Sequence, residues 1–306
     1  MHNNSKIAVT VITGFLGSGK TTFINSLLKR YSEKQFALVE NEFGDIAIDT
    51  KLIKGVEASQ MFELKEGCIC CTITDEYELV LQELAERFQN VEHLLIETTG
   101  VADPASVIRP FFRDEKLQEL YSFKGTICLL DALNFHNDYE KDLKYKQIAV
   151  ADFVLVNKTE KQFSEEKEVM KKQVRQINPM SEIQFAKYGI AADFELEKVT
   201  YRPKFYPAFQ GEKSLHSRIS TQTMVFSKPI NKSEFEYWLS YTLDVYKNEI
   251  YRIKGILCFE NEAFEFVLQG VGGSYELFEG EDIISRNNSE IVVIGKLDKM
   301  DLATNF

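Results

Sequence analysis

The residues Gly14-Phe15-Leu16-Gly17-Ser18-Gly19-Lys20-Thr21 have the types and spacing to handle phosphate. Two glycines five apart, closed by Lys-Thr, form a P-loop pattern. Glycine lets the backbone turn so that successive N–H groups converge on phosphate oxygens, at the positive end of the helix that follows. On this reading Gly14, Gly17, Ser18, Gly19, Lys20, Thr21 and Thr22 bind the phosphates. Lys20 bridges the terminal phosphates and the Thr21 hydroxyl coordinates Mg²⁺. The alternative is an ordinary glycine-rich turn. The strand-like run Ile7–Ile12 before the loop and the helix-compatible run from Thr22 to Leu28 after it favour the phosphate site.

Two further segments extend the chemistry. Glu97-Thr98-Thr99-Gly100 closes the apolar run Leu94-Leu95-Ile96. A carboxylate at Glu97 reaches a magnesium shell, often through water, and the Gly100 N–H approaches a γ-phosphate. Asn157-Lys158-Thr159-Glu160 ends another apolar run. In GTPases Asn-Lys-x-Asp reads guanine: the carboxylate accepts from N1–H and the exocyclic amine, and the lysine stem covers the ring. Adenine lacks that donor edge and leaves a polar group unpaired. Glu160 keeps the acceptor pair on a stem one methylene longer, so guanine preference is expected through Asn157, Lys158 and Glu160. A solvated helix start is the competing reading.

Gly67-Cys68-Ile69-Cys70-Cys71-Thr72 packs three of the five cysteines into four positions. Three thiols on a glycine-entered loop suit a soft or borderline cation such as Zn²⁺, Co²⁺ or Cu⁺. A redox-active pair and inert buried thiols are the alternatives. Cys128 and Cys258 lie in apolar runs and read as core. His2, His93, His136 and His216 are too scattered for a histidine-rich site.

The elements that position these residues follow from hydrophobic pattern. Strands are expected at Ile7–Ile12, Phe36–Glu40, His93–Glu97, Thr126–Asp131, Asp152–Val156 and Ile183–Ala186. Several are apolar on both faces, which predicts an α/β fold with a mainly parallel, doubly wound sheet and ligands beyond its carboxyl edge. Residues 1–192 make this P-loop domain and 193–217 a connector with Pro203 and Pro207. Residues 218–306 make a smaller α+β domain. There Asn231 and Glu234 mark a helix start, and Phe235, Trp238, Leu239, Leu243 and Tyr246 recur at helical spacing. Strands follow at Tyr251–Phe259, Ala263–Gln269, Tyr275–Phe278 and Ile291–Ile294.

Composition narrows the classes. The 306 residues are 44% hydrophobic and 27% charged, as in a globular protein with a core. A formal charge of −11 argues against a sequence-independent nucleic-acid binder. No apolar run approaches the roughly 18–20 residues of a membrane span. The polar start Met1–Lys6 leads into a strand, so a cytoplasmic protein without a secretory signal is expected, with reduced thiols.

Taken together these residues resemble the CobW-like metallochaperone GTPases, relatives of the GTPases that load nickel into urease and hydrogenase. Gly14–Thr22 looks like the family P-loop. Glu40-Asn41-Glu42-Phe43-Gly44 with Ile48-Asp49 is similar to its first switch, and Gly67–Thr72 to its Cys-x-Cys-Cys signature. Glu97–Gly100 with Ala102-Asp103-Pro104 looks like its second switch. Asp131-Ala132, Ala151-Asp152, Arg252-Ile253-Lys254-Gly255-Ile256 and Val293-Ile294-Gly295 match as well. The resemblance implies slow hydrolysis of GTP to GDP and transfer of Zn²⁺ or Co²⁺ to a client metalloprotein. It adds Glu40 and Asp45 to Cys68, Cys70, Cys71 and the magnesium-binding Thr21 as metal ligands. Lys20, Glu97 and Glu42 become the candidates for the hydrolytic step. A homodimer is compatible with it. Asp45 is a methylene short wherever the relative carries Glu, Glu160 departs likewise, and the histidine-rich segment of many members is missing. Two other functions compete: a P-loop phosphotransferase with a structural zinc loop, and a metal-sensing module with incidental hydrolysis.

Overall fold

The computed structural model describes residues 6–42, 45–48, 74–137, 139–200, 219–282, 288–300 and 302. Its first sheet is built from β1 (Ile7–Thr13), β2 (Phe36–Glu42), β3 (Asp45–Ile48), β4 (His93–Thr98), β5 (Tyr121–Asp131), β6 (Phe153–Asn157) and β7 (Glu182–Phe185). The order is β3-β2-β4-β1-β5-β6-β7; six strands are parallel and β3 turns back antiparallel on the edge. Each parallel pair needs a crossover, and helices supply most of them: α1 (Lys20–Arg30), α2 (Thr74–Arg87), the short α3 to α5 (Ala105–Ile108, Pro110–Arg113, Glu115–Leu120), α6 (Lys141–Val150) and α7 (Ser164–Ile177). The expected doubly wound α/β plan is the observed one.

Burial follows the pleat. In β4, Leu94 and Ile96 enter one core and Leu95 the other. The second core also holds Phe194, Leu196 and Val199, so the first residues of the expected connector pack on the sheet through a 3₁₀ turn, Leu196–Lys198.

The second sheet is antiparallel, ordered β11-β10-β9-β12-β8, from β8 (Ser220–Phe226), β9 (Ile250–Cys258), β10 (Phe264–Val271), β11 (Ser274–Asp282) and β12 (Ser289–Gly295). Its helix α8 (Lys232–Val245) starts where Asn231 Oδ1 accepts from the Glu234 N–H at 3.1 Å. Phe235, Leu239 and Leu243 bury against Ile253, Leu257, Leu268 and Ile291. The opposite face of this sheet, with Tyr251, Val271, Val292 and Ile294, belongs to the same core as Ile148 of α6 and Val154 of β6.

Charge crosses this junction. Asp152 Oδ1 accepts from Arg252 Nη2 at 2.7 Å and from the Lys254 ammonium, while Oδ2 accepts from the Thr126 N–H at 2.8 Å. All three side chains are buried, and Arg252 Nε and Nη1 have no hydrogen-bond partner. Among the described residues no helix is long and apolar enough to cross a membrane.

Candidate functional site

The carboxyl ends of β1, β4, β5 and β6 converge on one loop, Gly14–Gly19, which runs from β1 into α1. Gly14, Gly17 and Gly19 have φ of 140°, 73° and 98°, a region side chains rarely enter. Space forbids a side chain at two of them: a Cβ on Gly14 would lie 2.3 Å from the Leu129 carbonyl oxygen, and one on Gly19 2.4 Å from Asn157 Nδ2. Lys20 is buried and donates to the Gly14 carbonyl at 3.0 Å, so its ammonium spans the loop. Burial holds its pKa below the ordinary lysine range, opposed by the nearby Glu97 carboxylate and Cys128. Thr21 and Thr22, in the first turn of α1, are exposed. Ser18 Oγ is buried with no hydrogen-bond partner. An orphaned hydroxyl and a strained glycine loop at the start of an 11-residue helix fit a polyphosphate with its magnesium ion.

β4 brings Glu97 beside this loop, in register with Ile12 of β1 and Glu40 of β2. The Thr98 hydroxyl donates to Thr13 Oγ1 at 3.0 Å and locks the two strand ends together. Gly100 passes so close to the loop that a Cβ there would lie 2.5 Å from the Leu16 nitrogen. Its carbonyl accepts from Gln147 Nε2 of α6 at 3.2 Å. The neighbouring Lys146 pairs with Asp103 and lies 4.8 Å over the Tyr251 ring of the second sheet.

β6 delivers the third segment. Asn157 Nδ2 donates to the Ser18 carbonyl at 2.9 Å, and its Oδ1 accepts from the Gly189 N–H at 2.9 Å. Asn157 therefore ties the phosphate loop to the Lys187–Ile190 turn that follows β7. Lys158 adopts a left-handed backbone, φ 61°, and its ammonium meets Asp131 Oδ2 at 2.7 Å. Glu160 Oε1 accepts from the Tyr188 N–H at 2.7 Å, and the Thr159 hydroxyl donates to the Ala186 carbonyl.

The fold thus gathers Gly14, Gly17, Ser18, Gly19, Lys20, Thr21, Thr22, Glu97, Gly100, Asn157, Lys158 and Glu160 along one edge of the sheet. Sequence reasoning missed the Lys187–Ile190 turn and the part played by Gln147. Tyr188-Gly189 directly after a strand was the available signal for the turn. Cys68, Cys70 and Cys71 lie outside the described residues, as do the side chains of Glu40, Glu42 and Asp45. The backbones of those acidic residues lie in the β2–β3 hairpin, with Glu42 opposite Asp45. Among the described residues no three His, Cys, Asp or Glu side chains gather as a metal ion would need. Cys128 and Cys258 are buried, as expected of core thiols.

Residues 8–185 match the family model "CobW/HypB/UreG, nucleotide-binding domain", and residues 219–306 match "Cobalamin synthesis protein cobW C-terminal domain". The zinc chaperone YjiA of Escherichia coli K12 is 32% identical over 286 residues, spanning 88% of this chain and 87% of YjiA. The zinc-regulated GTPase metalloprotein activator 1 of Saccharomyces cerevisiae is 27% identical, spanning 97% and 81%. The crystal structure of the Zn(II)-bound YjiA GTPase superposes with a TM-score of 0.71 at 25% identity, over 95% of this chain and 94% of that one.

Proposed function

Since this chain belongs to the CobW/HypB/UreG family, we propose that it is a GTPase that carries zinc under nucleotide control. The observation that carries the nucleotide half is the Asn157 bridge. One side chain holds both the phosphate loop and the Lys187–Ile190 turn, so the triphosphate and base contacts form a single site.

In that site the loop N–H groups and Lys20 balance charge on the β and γ phosphates, and this stabilisation grows as the bond to the γ-phosphorus loosens. Water adds to that phosphorus, the bond to the β-phosphate oxygen breaks, and GDP leaves with the electron pair. Thr21 and Glu97 would hold Mg²⁺, which supplies Lewis-acid charge at the same oxygens when bound. Glu97 and Glu42 are the carboxylates we assign to the nucleophile side. Glu160 reads the guanine edge.

The zinc half rests on Cys68, Cys70 and Cys71 and on the likeness to zinc chaperones. Glu40 and Asp45 complete the ligand set we propose, for Zn²⁺ or for Co²⁺ with the same donors. Its link to the nucleotide is supported by register: Glu40 is paired in the sheet with Glu97. The cargo passes to a client metalloprotein. Anaerobic zinc titration with Mg·GTP, Mg·GDP and no nucleotide tests the coupling. Zinc should bind about tenfold tighter in the GTP state, a coupling of about 1.4 kcal/mol. Serine at the three cysteines should abolish the difference, and Lys20→Ala should abolish hydrolysis. Equal zinc affinity in the GTP and GDP states would end the carrier mechanism.

A further inference from the structure

We infer that Asp131 is a positioning residue for guanine: it holds the Lys158 ammonium aside so that the lysine stem, not its charge, meets the base. The inference rests on the guanine reading above. Asp131 closes β5 in register with Asn157 of β6, so the fold sets it beside the residue that precedes Lys158. Its carboxylate accepts three hydrogen bonds. Oδ1 accepts from the Leu133 N–H at 2.9 Å, and Oδ2 from Asn134 Nδ2 at 2.9 Å and Lys158 Nζ at 2.7 Å. Burial alone would raise its pKa, but donation from Lys158, Asn134 and the Leu133 N–H more than reverses this, so the carboxylate stays ionised.

The lysine side of the pair is the less constrained one. The Lys158 side chain is 34% exposed against 8% for Asp131, and its four-carbon stem has many rotamers in water. Its left-handed backbone and the Asp131 bond fix both ends of that stem before a base arrives. Such pre-organisation removes an ordering cost from binding. It also sorts two lysines that enter the same site. Lys20, bonded to the loop itself, is free to answer phosphate charge, whereas Lys158 is neutralised locally and kept from competing for it.

The test pairs Asp131→Asn with Lys158→Ala in a double-mutant cycle, reading Mg·GDP affinity by calorimetry and displacement by inorganic triphosphate. Asp131→Asn should weaken GDP about tenfold, about 1.4 kcal/mol. Triphosphate affinity should hold, because the phosphate loop is untouched, and in turnover the loss should fall on KM rather than kcat. In the Lys158→Ala background Asp131→Asn should cost nothing further. Multiplying losses, or an equal loss of triphosphate affinity, would show that Asp131 supports the fold and not the lysine. If Lys158→Ala weakens GDP while Asp131→Asn does not, the inference falls and the guanine reading stands. If Lys158→Ala itself leaves GDP unchanged, both fall. Should Asp131→Asn not fold, Lys158→Met keeps Asp131 and the stem but removes the ammonium. It should show the same tenfold loss, and unchanged affinity would overturn the inference.

Discussion

Asp152→Asn and Lys254→Met should move stability in opposite directions, although they cut the same buried cluster. One carboxylate there faces two cations, and all three side chains are at most 3% exposed. Removing the anion leaves two buried positive charges uncompensated. Breaking a buried pair costs roughly 3–5 kcal/mol, a large share of a typical total of about 5–15 kcal/mol. Asparagine keeps an oxygen for the Thr126 N–H, so the loss is electrostatic rather than a missing backbone hydrogen bond. Lys254→Met instead removes the surplus cation and leaves Arg252 paired one to one with Asp152. Replacing a whole buried ion pair by well-packed apolar chains is often neutral or stabilising by about 1–4 kcal/mol, and Lys254→Met leaves no uncompensated charge behind, so it should fall on that side. A pH signature accompanies this. Burial pushes the Lys254 pKa from 10.5 down to about 8, against the attraction of Asp152. Between those values the unfolded lysine holds a proton that the folded one has shed, so stability rises with pH across that window. At about 1.4 kcal/mol per pH unit the gain is at most about 3 kcal/mol. Urea unfolding followed by Trp238 fluorescence at pH 7.5 and 9.5 spans about 1.5 pH units of that window, so the parent should gain about 2 kcal/mol between them. If Lys254→Met destabilises as much as Asp152→Asn, or keeps the parent's rise with pH, the charge-excess reasoning is wrong.

Two further outcomes can be checked directly. His93 is buried and hydrogen-bonded to Thr10 Oγ1 at 2.9 Å, and burial, aided by Lys34 and Lys124, pushes its pKa down to about 4. The unfolded chain takes up a proton near pH 6.5 that folded His93 refuses, so stability should fall as pH drops from about 6.5 to about 4, by roughly 3 kcal/mol in all. In His93→Gln the urea midpoints at pH 7 and pH 5 should lie closer together than in the parent; an unchanged gap would exclude His93 as the source. Gly19→Ala would set a methyl against Asn157 Nδ2 at a left-handed backbone position, so Mg·GDP affinity should drop at least tenfold. Calorimetry showing parental affinity would remove Asn157 from the account of the site.

What the sequence revealed was local in the chain. The phosphate loop is eight adjacent residues between a strand and a helix, and each part of its chemistry has a residue signature. Asn157–Glu160 is equally compact. Tyr188-Gly189 signals a turn, but the turn works through backbone N–H groups, so residue type says nothing of the bonds to Glu160 and Asn157. The Asp131–Lys158 pair spans 27 positions and exists only because β5 and β6 are neighbours in register. Strand β8 went unread because Ser220–Gln222 and Thr223 are polar and the strand is half-exposed on a sheet edge, where alternation is weak. Arg252 and Lys254 were visible inside a strand-like run. Their partner Asp152 lies about a hundred residues earlier, and only the packing of one sheet on the other makes them a cluster.

That packing decides what counts as a separable piece of this molecule. Tyr251, Val271, Val292 and Ile294 of the second sheet share an apolar core with Ile148 of α6 and with Val154 and Val156 of the first sheet. Cutting the chain between the sheets would therefore do more than shorten it. The nucleotide half would present bare apolar surface along α6 and an Asp152 stripped of both counter-charges, and the other half would carry two cations into water on an otherwise greasy face. The two sheets have different architectures but share one core and one ion cluster, so they should unfold together. A fragment ending before residue 219 is a poor stand-in for the nucleotide site, and activity lost on truncation says nothing about whether the second sheet touches substrate.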